Sequence, residues 1–137
     1  MIRPIMKKRF FLCQPSESAD VSDARVVEDL VDTLEAYRAT CVGMAANMIG
    51  ERKRIIAVID DNGGILVMCN PRIEHSYGPY EAEEGCLSLE GVRSTRRYER
   101  IVVVYEDEVF RQCTIERSGR VAQAIQHEID HCNGILI

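Results

Sequence analysis

Gln126-His127-Glu128-Ile129-Asp130-His131 lies within a run of helical periodicity that starts after Ser118-Gly119 and extends to about Asn133, where Gly134 stands as a stop signal. On a helix, residues four apart sit one turn apart on one face, so His127 and His131 have the spacing that lets two imidazoles grip a single metal ion. Glu128 adds a carboxylate beside the first of them, placed to exchange a proton with a water that such an ion acidifies. At about 100° per residue, Val121, Ala122, Ile125, Ile129 and Cys132 form one apolar stripe, and both histidines fall outside it. Core packing alone does not account for the pair. The remaining histidine, His75, stands in a polar turn region and reads as a surface residue.

A metal site that activates water commonly has three protein ligands and an open position. Only six residues follow His131, and none is a histidine or glutamate of the kind such helices often use downstream, so the third ligand is expected upstream. Six cysteines precede or flank the helix: Cys13, Cys41, Cys69, Cys86, Cys113 and Cys132. Their irregular spacing and the absence of a secretory signal in the charge-broken stretch 1–12 mark them as reduced thiols. Cys86, in Glu84-Gly85-Cys86-Leu87-Ser88, is the best available thiolate, although composition alone leaves the choice among six open. The other five read by default as small buried core residues.

Further upstream the pattern alternates between helix and strand. Val27, Leu30, Val31, Leu34 and Tyr37 predict an amphipathic helix over 21–38, with Asp20 or Ser22 as the cap. Arg54 to Asp60 and Ile65 to Ile73 predict a hairpin across Asp60-Asp61-Asn62-Gly63-Gly64, the second strand ending near Asn70-Pro71 because proline lacks a ladder donor. Tyr98 to Tyr105 and Val109 to Glu116 predict a second antiparallel pair across Glu106-Asp107-Glu108. Glu84 to Ser88 has no period and is expected at a strand end or loop.

The chain has 137 residues, enough for one domain over 1–137, with 46% hydrophobic and 28% charged residues. Its 17 basic residues against 22 acidic ones give a net charge of −5, which argues against binding nucleic acid or an anionic membrane. No apolar run has the length of a membrane span, so a cytoplasmic location is expected.

Three motifs bring in a resemblance. Glu84-Gly85-Cys86-Leu87-Ser88 and Gln126-His127-Glu128-Ile129-Asp130-His131 match, complete and in order, two signatures of the bacterial peptide deformylases, and Cys41-Val42-Gly43-Met44-Ala45-Ala46-Asn47-Met48 is similar to the third, G-x-G-x-A-A-x-Q. Asn70-Pro71, Gly91-Val92-Arg93 and Cys132-Asn133-Gly134 also resemble what the family places in those positions. The resemblance implies an α+β fold, with antiparallel strands around a C-terminal helix that carries metal ligands and the first helix packed outside. It implies Cys86, His127 and His131 as ligands, Glu128 as general base, and the Leu87 N–H as a donor to the oxyanion, with Asp130 and Gln126 as supporting residues. Val42, Gly43 and Met44, with Gly85, would lie along the substrate backbone, and Arg93 near the substrate entrance. The metal would be ferrous iron, with zinc or nickel able to take its place. The substrate implied is a nascent peptide beginning with N-formylmethionine, met at the ribosome.

The first motif departs from the family pattern. Cys41 replaces a glycine and Met48 replaces the glutamine, whose amide gives the oxyanion a hydrogen bond that a thioether cannot donate. The departure sets an alternative beside a working hydrolase: a deformylase-like protein that binds metal and peptide with little turnover.

Overall fold

The computed structural model describes residues 1–137. Two helices enclose a single sheet. Helix α1 (Arg9–Leu12) is short; α2 (Ala24–Ala36) follows a 3-10 turn at Val21–Asp23; α3 (Gly119–Cys132) comes last. Between α2 and α3 run strands β1 (Gly43–Ala45), β2 (Ile55–Ile59), β3 (Ile65–Cys86), β4 (Leu89–Glu106) and β5 (Gln112–Ser118). They form an antiparallel sheet in the order β1-β2-β3-β4-β5, so β1 is an edge strand.

The helix expected over 21–38 is divided because Asp20 caps the 3-10 turn. Its side chain takes the Ser22 N–H at 2.9 Å, and Asp23 reaches back to the Asp20 N–H at 3.0 Å. Strand β2 shows how the core is arranged. Ile55 and Ala57 pack toward α2 with Leu30, Leu34 and Met44, whereas Ile56 and Val58 pack toward α3 with Ile101, Val103, Ile125 and Ile129. This alternation follows the period of two along a strand, and it explains a sequence that is apolar at every position of β2.

Strand β3 does not end at Asn70-Pro71, as the proline suggested. It continues for 22 residues because a bulge absorbs the missing donor: the register slips from Cys69↔Glu106 to Arg72↔Val104. Asn70 adopts φ 50°, and its side chain holds the Ala19 N–H at 2.8 Å and C=O at 2.9 Å, which offsets the cost of the left-handed backbone. Strand β4 likewise begins at Leu89, well before Tyr98. The two strands make a long ribbon whose tip is the turn from Cys86 to Leu89. Strand β5 starts at Gln112, later than expected, because Asp107 Oδ1 accepts the N–H groups of Val109 and Arg111 and folds 107–111 into a tight turn.

Among the cysteines, Cys69 and Cys132 are buried as expected; Cys41 and Cys113 are half-buried against the edge of the core, and Cys13 is exposed, so the core assignment fails for Cys13. His75 lies on β3 with an exposed side chain, in a strand and not in the turn the sequence suggested.

Candidate metal centre

The ribbon tip and α3 bring together residues far apart in the chain. Cys86 ends β3 at the tip, where the Ser88 N–H points at its sulfur at 3.4 Å. One helical turn separates His127 from His131, and their Nε2 atoms face each other at 3.1 Å. Cys86 Sγ lies 3.4 Å from His131 Nε2, and all three donor atoms fall within 4.8 Å of one another. One sulfur and two imidazole nitrogens aimed at a common point form a donor set that suits a divalent cation.

Glu84 orients the first imidazole. Its Oε1 lies 2.8 Å from His127 Nδ1, so a proton on Nδ1 is donated to the carboxylate and the Nε2 lone pair is left facing the other donors. Arg97, from β4, holds the same carboxylate through Nη2 at 2.7 Å and Nε at 2.9 Å, and reaches Asp130 Oδ2 through Nη1 at 2.7 Å. Burial penalises the Glu84 carboxylate, but hydrogen bonds from His127, Arg97 and Gln123 outweigh it and bring the group down to about 2. In the metal-free chain the histidines diverge. Burial opposes charge on both, yet contacts with Cys86 and Glu84 raise His127 to about 10, while His131, buried beside a cationic neighbour, falls to about 3.

Glu128 points toward Gly43 on the opposite wall, and its Oε1 is buried without a partner. Burial pushes this carboxyl up to about 7, the range of a group that takes and returns a proton near neutrality.

A cleft of about 500 Å³ opens beside these groups, bounded by Val42, Gly43, Met48, Gly85 and Leu87 together with one face of α3. Met44 is different: its side chain is fully buried in the core under α2, outside the cleft. Arg93 is half-buried on β4 opposite Glu84 and does not line the cleft, although its Nη1 is buried without a partner. Met48 lines the cleft and turns its sulfur to the Ala45 N–H at 3.5 Å, so no donor stands at this position. Asn47 does not replace it, since its Nδ2 is committed to the His131 carbonyl at 2.9 Å. Gln126 proves to be a staple between helix and sheet, bonding both the N–H and the C=O of Tyr98 at 2.9 Å. Asp130 reaches His127 only through Arg97 and Glu84.

Sequence reasoning missed Arg97, Tyr80 and Gln123, and saw Glu84 only as a motif letter. A signal for Gln123 exists, because it precedes His127 by four residues and so shares its face.

A family model described as polypeptide deformylase matches residues 3–137. This chain belongs to the peptide deformylase family. A peptide deformylase of Clostridium beijerinckii is 50% identical over 137 residues, covering all of both chains. The crystal structure of peptide deformylase from Thermus thermophilus superposes with a TM-score of 0.85 at 35% identity, over 99% of this chain and 83% of that one. A Met-Ala-Ser-bound crystal structure of the class I type b peptide deformylase from Acinetobacter baumannii gives 0.86 at 25% identity, over 99% of this chain and 96% of that one. The protein is therefore a deformylase, a metal-dependent hydrolase that removes the formyl group from the N-terminal formylmethionine of peptides. The same comparisons favour the working enzyme over a binding protein without turnover. No helix of this deformylase is long and apolar enough to cross a membrane.

Proposed function

We propose that Cys86, His127 and His131 hold one divalent ion, ferrous iron, and that Glu128 moves the proton during hydrolysis of the formyl amide, with residues 1–137 acting as a single domain. The convergence of one sulfur and two Nε2 atoms beside a buried carboxyl without a partner carries this reading. When bound, the ion acidifies water and polarises the formyl carbonyl. Glu84 keeps His127 in the tautomer that presents Nε2. Glu128 accepts the proton from the attacking water and returns it to the amine that leaves, a cycle its poised pKa permits. The Leu87 N–H donates to the developing oxyanion.

The peptide backbone runs along Val42, Gly43 and Gly85, where β1 offers a free sheet edge for pairing. Gly43 permits close approach, and Met44 contributes only main chain. The Met-Ala-Ser peptide bound by the Acinetobacter baumannii relative supports a product of this kind. Arg93 lies outside the cleft wall, and its buried Nη1 without a partner leaves it a donor for the peptide downstream of methionine. The substrates are nascent chains met at the ribosome in the cytoplasm. Elemental analysis of protein purified without oxygen, with formate release from formyl-methionyl peptides, tests the reading. One iron per chain, lost in Cys86→Ala, is expected; a full metal equivalent in folded Cys86→Ala overturns it.

A further inference from the structure

Glu84 is buried, so its orientation is set by the donors around it and not by water. Two of these donors come from one face of α3. His127 Nδ1 meets Oε1 at 2.8 Å, and Gln123 Nε2, one turn earlier, meets Oε2 at 2.8 Å. The carboxylate is therefore gripped along the helix by residues at i and i+4, one oxygen to each. Arg97 closes on it from the sheet side. Gln123 is fixed in turn: the Tyr80 hydroxyl donates to its Oε1 at 3.2 Å, which orients the amide with its NH2 toward Glu84. Tyr80 and Glu84 are four residues apart on β3, on the same face of the strand. A continuous chain of polar contacts thus runs from a half-buried tyrosine on the ribbon through Gln123 and Glu84 to His127. Gln123 also lines the cleft, beside Glu84.

We propose that Gln123 is a positioning residue for His127, acting through Glu84 and itself oriented by Tyr80. The inference rests on the assignment of His127 as a metal ligand. Without the Gln123 donor, Oε2 keeps only the Arg97 Nε contact, and the tilt of the carboxylate about its last bond is held by Arg97 and His127 alone. The Nδ1 contact that fixes the imidazole then weakens, and the ligand set loses its preorganisation. Tyr80 acts one step further out and should matter less.

The test is the rate at which the holoenzyme releases its metal to a chromogenic chelator, followed with thermal stability and kcat. Gln123→Leu, which keeps the bulk but not the donor, should release metal several-fold to about ten-fold faster, below or at the bottom of the 10–100-fold typical of groups that touch a ligand directly. Gln123→Glu should be worse than Gln123→Leu, since it sets a second carboxylate against Glu84. Tyr80→Phe should move release in the same direction by less, and the Gln123→Leu/Tyr80→Phe double variant should be no faster than Gln123→Leu alone. A glutamine that merely fills the cleft wall predicts an unchanged release rate in Gln123→Leu, and that result overturns the proposal, as does strict additivity in the double variant. If Gln123→Leu fails to fold, Tyr80→Phe decides: faster release supports the proposal and an unchanged rate overturns it. His127→Ala keeps the two readings apart. Metal retained there defeats the ligand assignment, whereas metal lost there with normal release from Gln123→Leu defeats this inference alone.

Discussion

Gly43 and Glu128 share a space that a single methyl group would fill: a Cβ on Gly43 would stand 3.1 Å from Glu128 Oε2 and 3.1 Å from Val58 Cγ1. Val58 is packed in the core and cannot retreat, so Gly43→Ala should push the carboxylate out of place. A displaced general base gives up part of the 10²–10⁴-fold such groups supply, and kcat should fall by at least about ten-fold with metal content unchanged. Overpacking should also cost about 1–3 kcal/mol of stability. Steady-state kinetics and urea melts on the same preparation check both.

Removing Glu128 should separate proton transfer from metal binding. Glu128→Ala is expected to keep its metal and lose roughly 10²–10⁴-fold in turnover. The pH dependence carries a further sign. The base must be ionised to work, burial is the main cause that lifts it to about 7, and a bound cation favours the ionised form, so the acid limb of kcat should have its midpoint below 7. A limb centred above 7 would contradict the role given to this carboxylate.

The Glu84–His127 pair in the metal-free chain should couple most strongly in a defined window. Glu84 falls from an ordinary 4.5 to about 2, so its share of the stability is complete above 4.5 and is lost as pH falls toward 2. His127 rises from 6.5 to about 10, so its share is complete below 6.5 and is lost as pH rises toward 10. A double-mutant cycle with Glu84→Gln and His127→Asn should therefore give its largest coupling between 4.5 and 6.5. A coupling that stayed constant from about pH 3 to about pH 9 would mean the contact is not an ion pair.

Met48 is the position where chemistry and packing can be separated. Its sulfur accepts from the Ala45 N–H and cannot donate to an oxyanion. Glutamine has a similar unbranched length, so Met48→Gln restores an amide donor with little repacking. Losing one such donor costs about 10²–10³ in another hydrolase, and with other donors already present the gain here should be smaller. Formate release should rise several-fold at constant metal content, and a flat rate would show that this position does not limit the reaction.

Much of this site was legible because it follows from helical period. His127 and His131 have their spacing dictated by 3.6 residues per turn, and the structure brings them together; Cys86 joins them in the structure, but only the motif resemblance had singled it out among six cysteines. The β2–β3 hairpin was legible for the same kind of reason, since β-branched runs flanked a glycine-rich turn. What the sequence hid depended on compensation by distant residues. The continuation of β3 through Pro71 requires Asn70 to brace Ala19, a contact between residues 51 apart. Arg97 carried no signal in the sequence, and only the packing of α3 against β4 shows that it is buried between Glu84 and Asp130. Met44 and Gly43 are neighbours in the motif, yet alternation along β1 sends one side chain into the core and leaves the other position at the cleft.

The ribbon tip has a consequence for the lifetime of the fold. Cys86 and His131 are 45 residues apart in the chain, and a metal held by both ties that interval into a closed loop. By the chain-entropy relation used for covalent cross-links, closing a loop of this length removes about 4 kcal/mol of disorder from the unfolded ensemble, an upper figure because ligands can exchange. The ion would then act as a reversible staple across the β3–β4 and β5–α3 halves of the sequence. Stripping it should accelerate global unfolding measured in denaturant far more than it lowers secondary-structure content at rest, because the strands and helices keep their own ladders while the knot that keeps them from separating is gone.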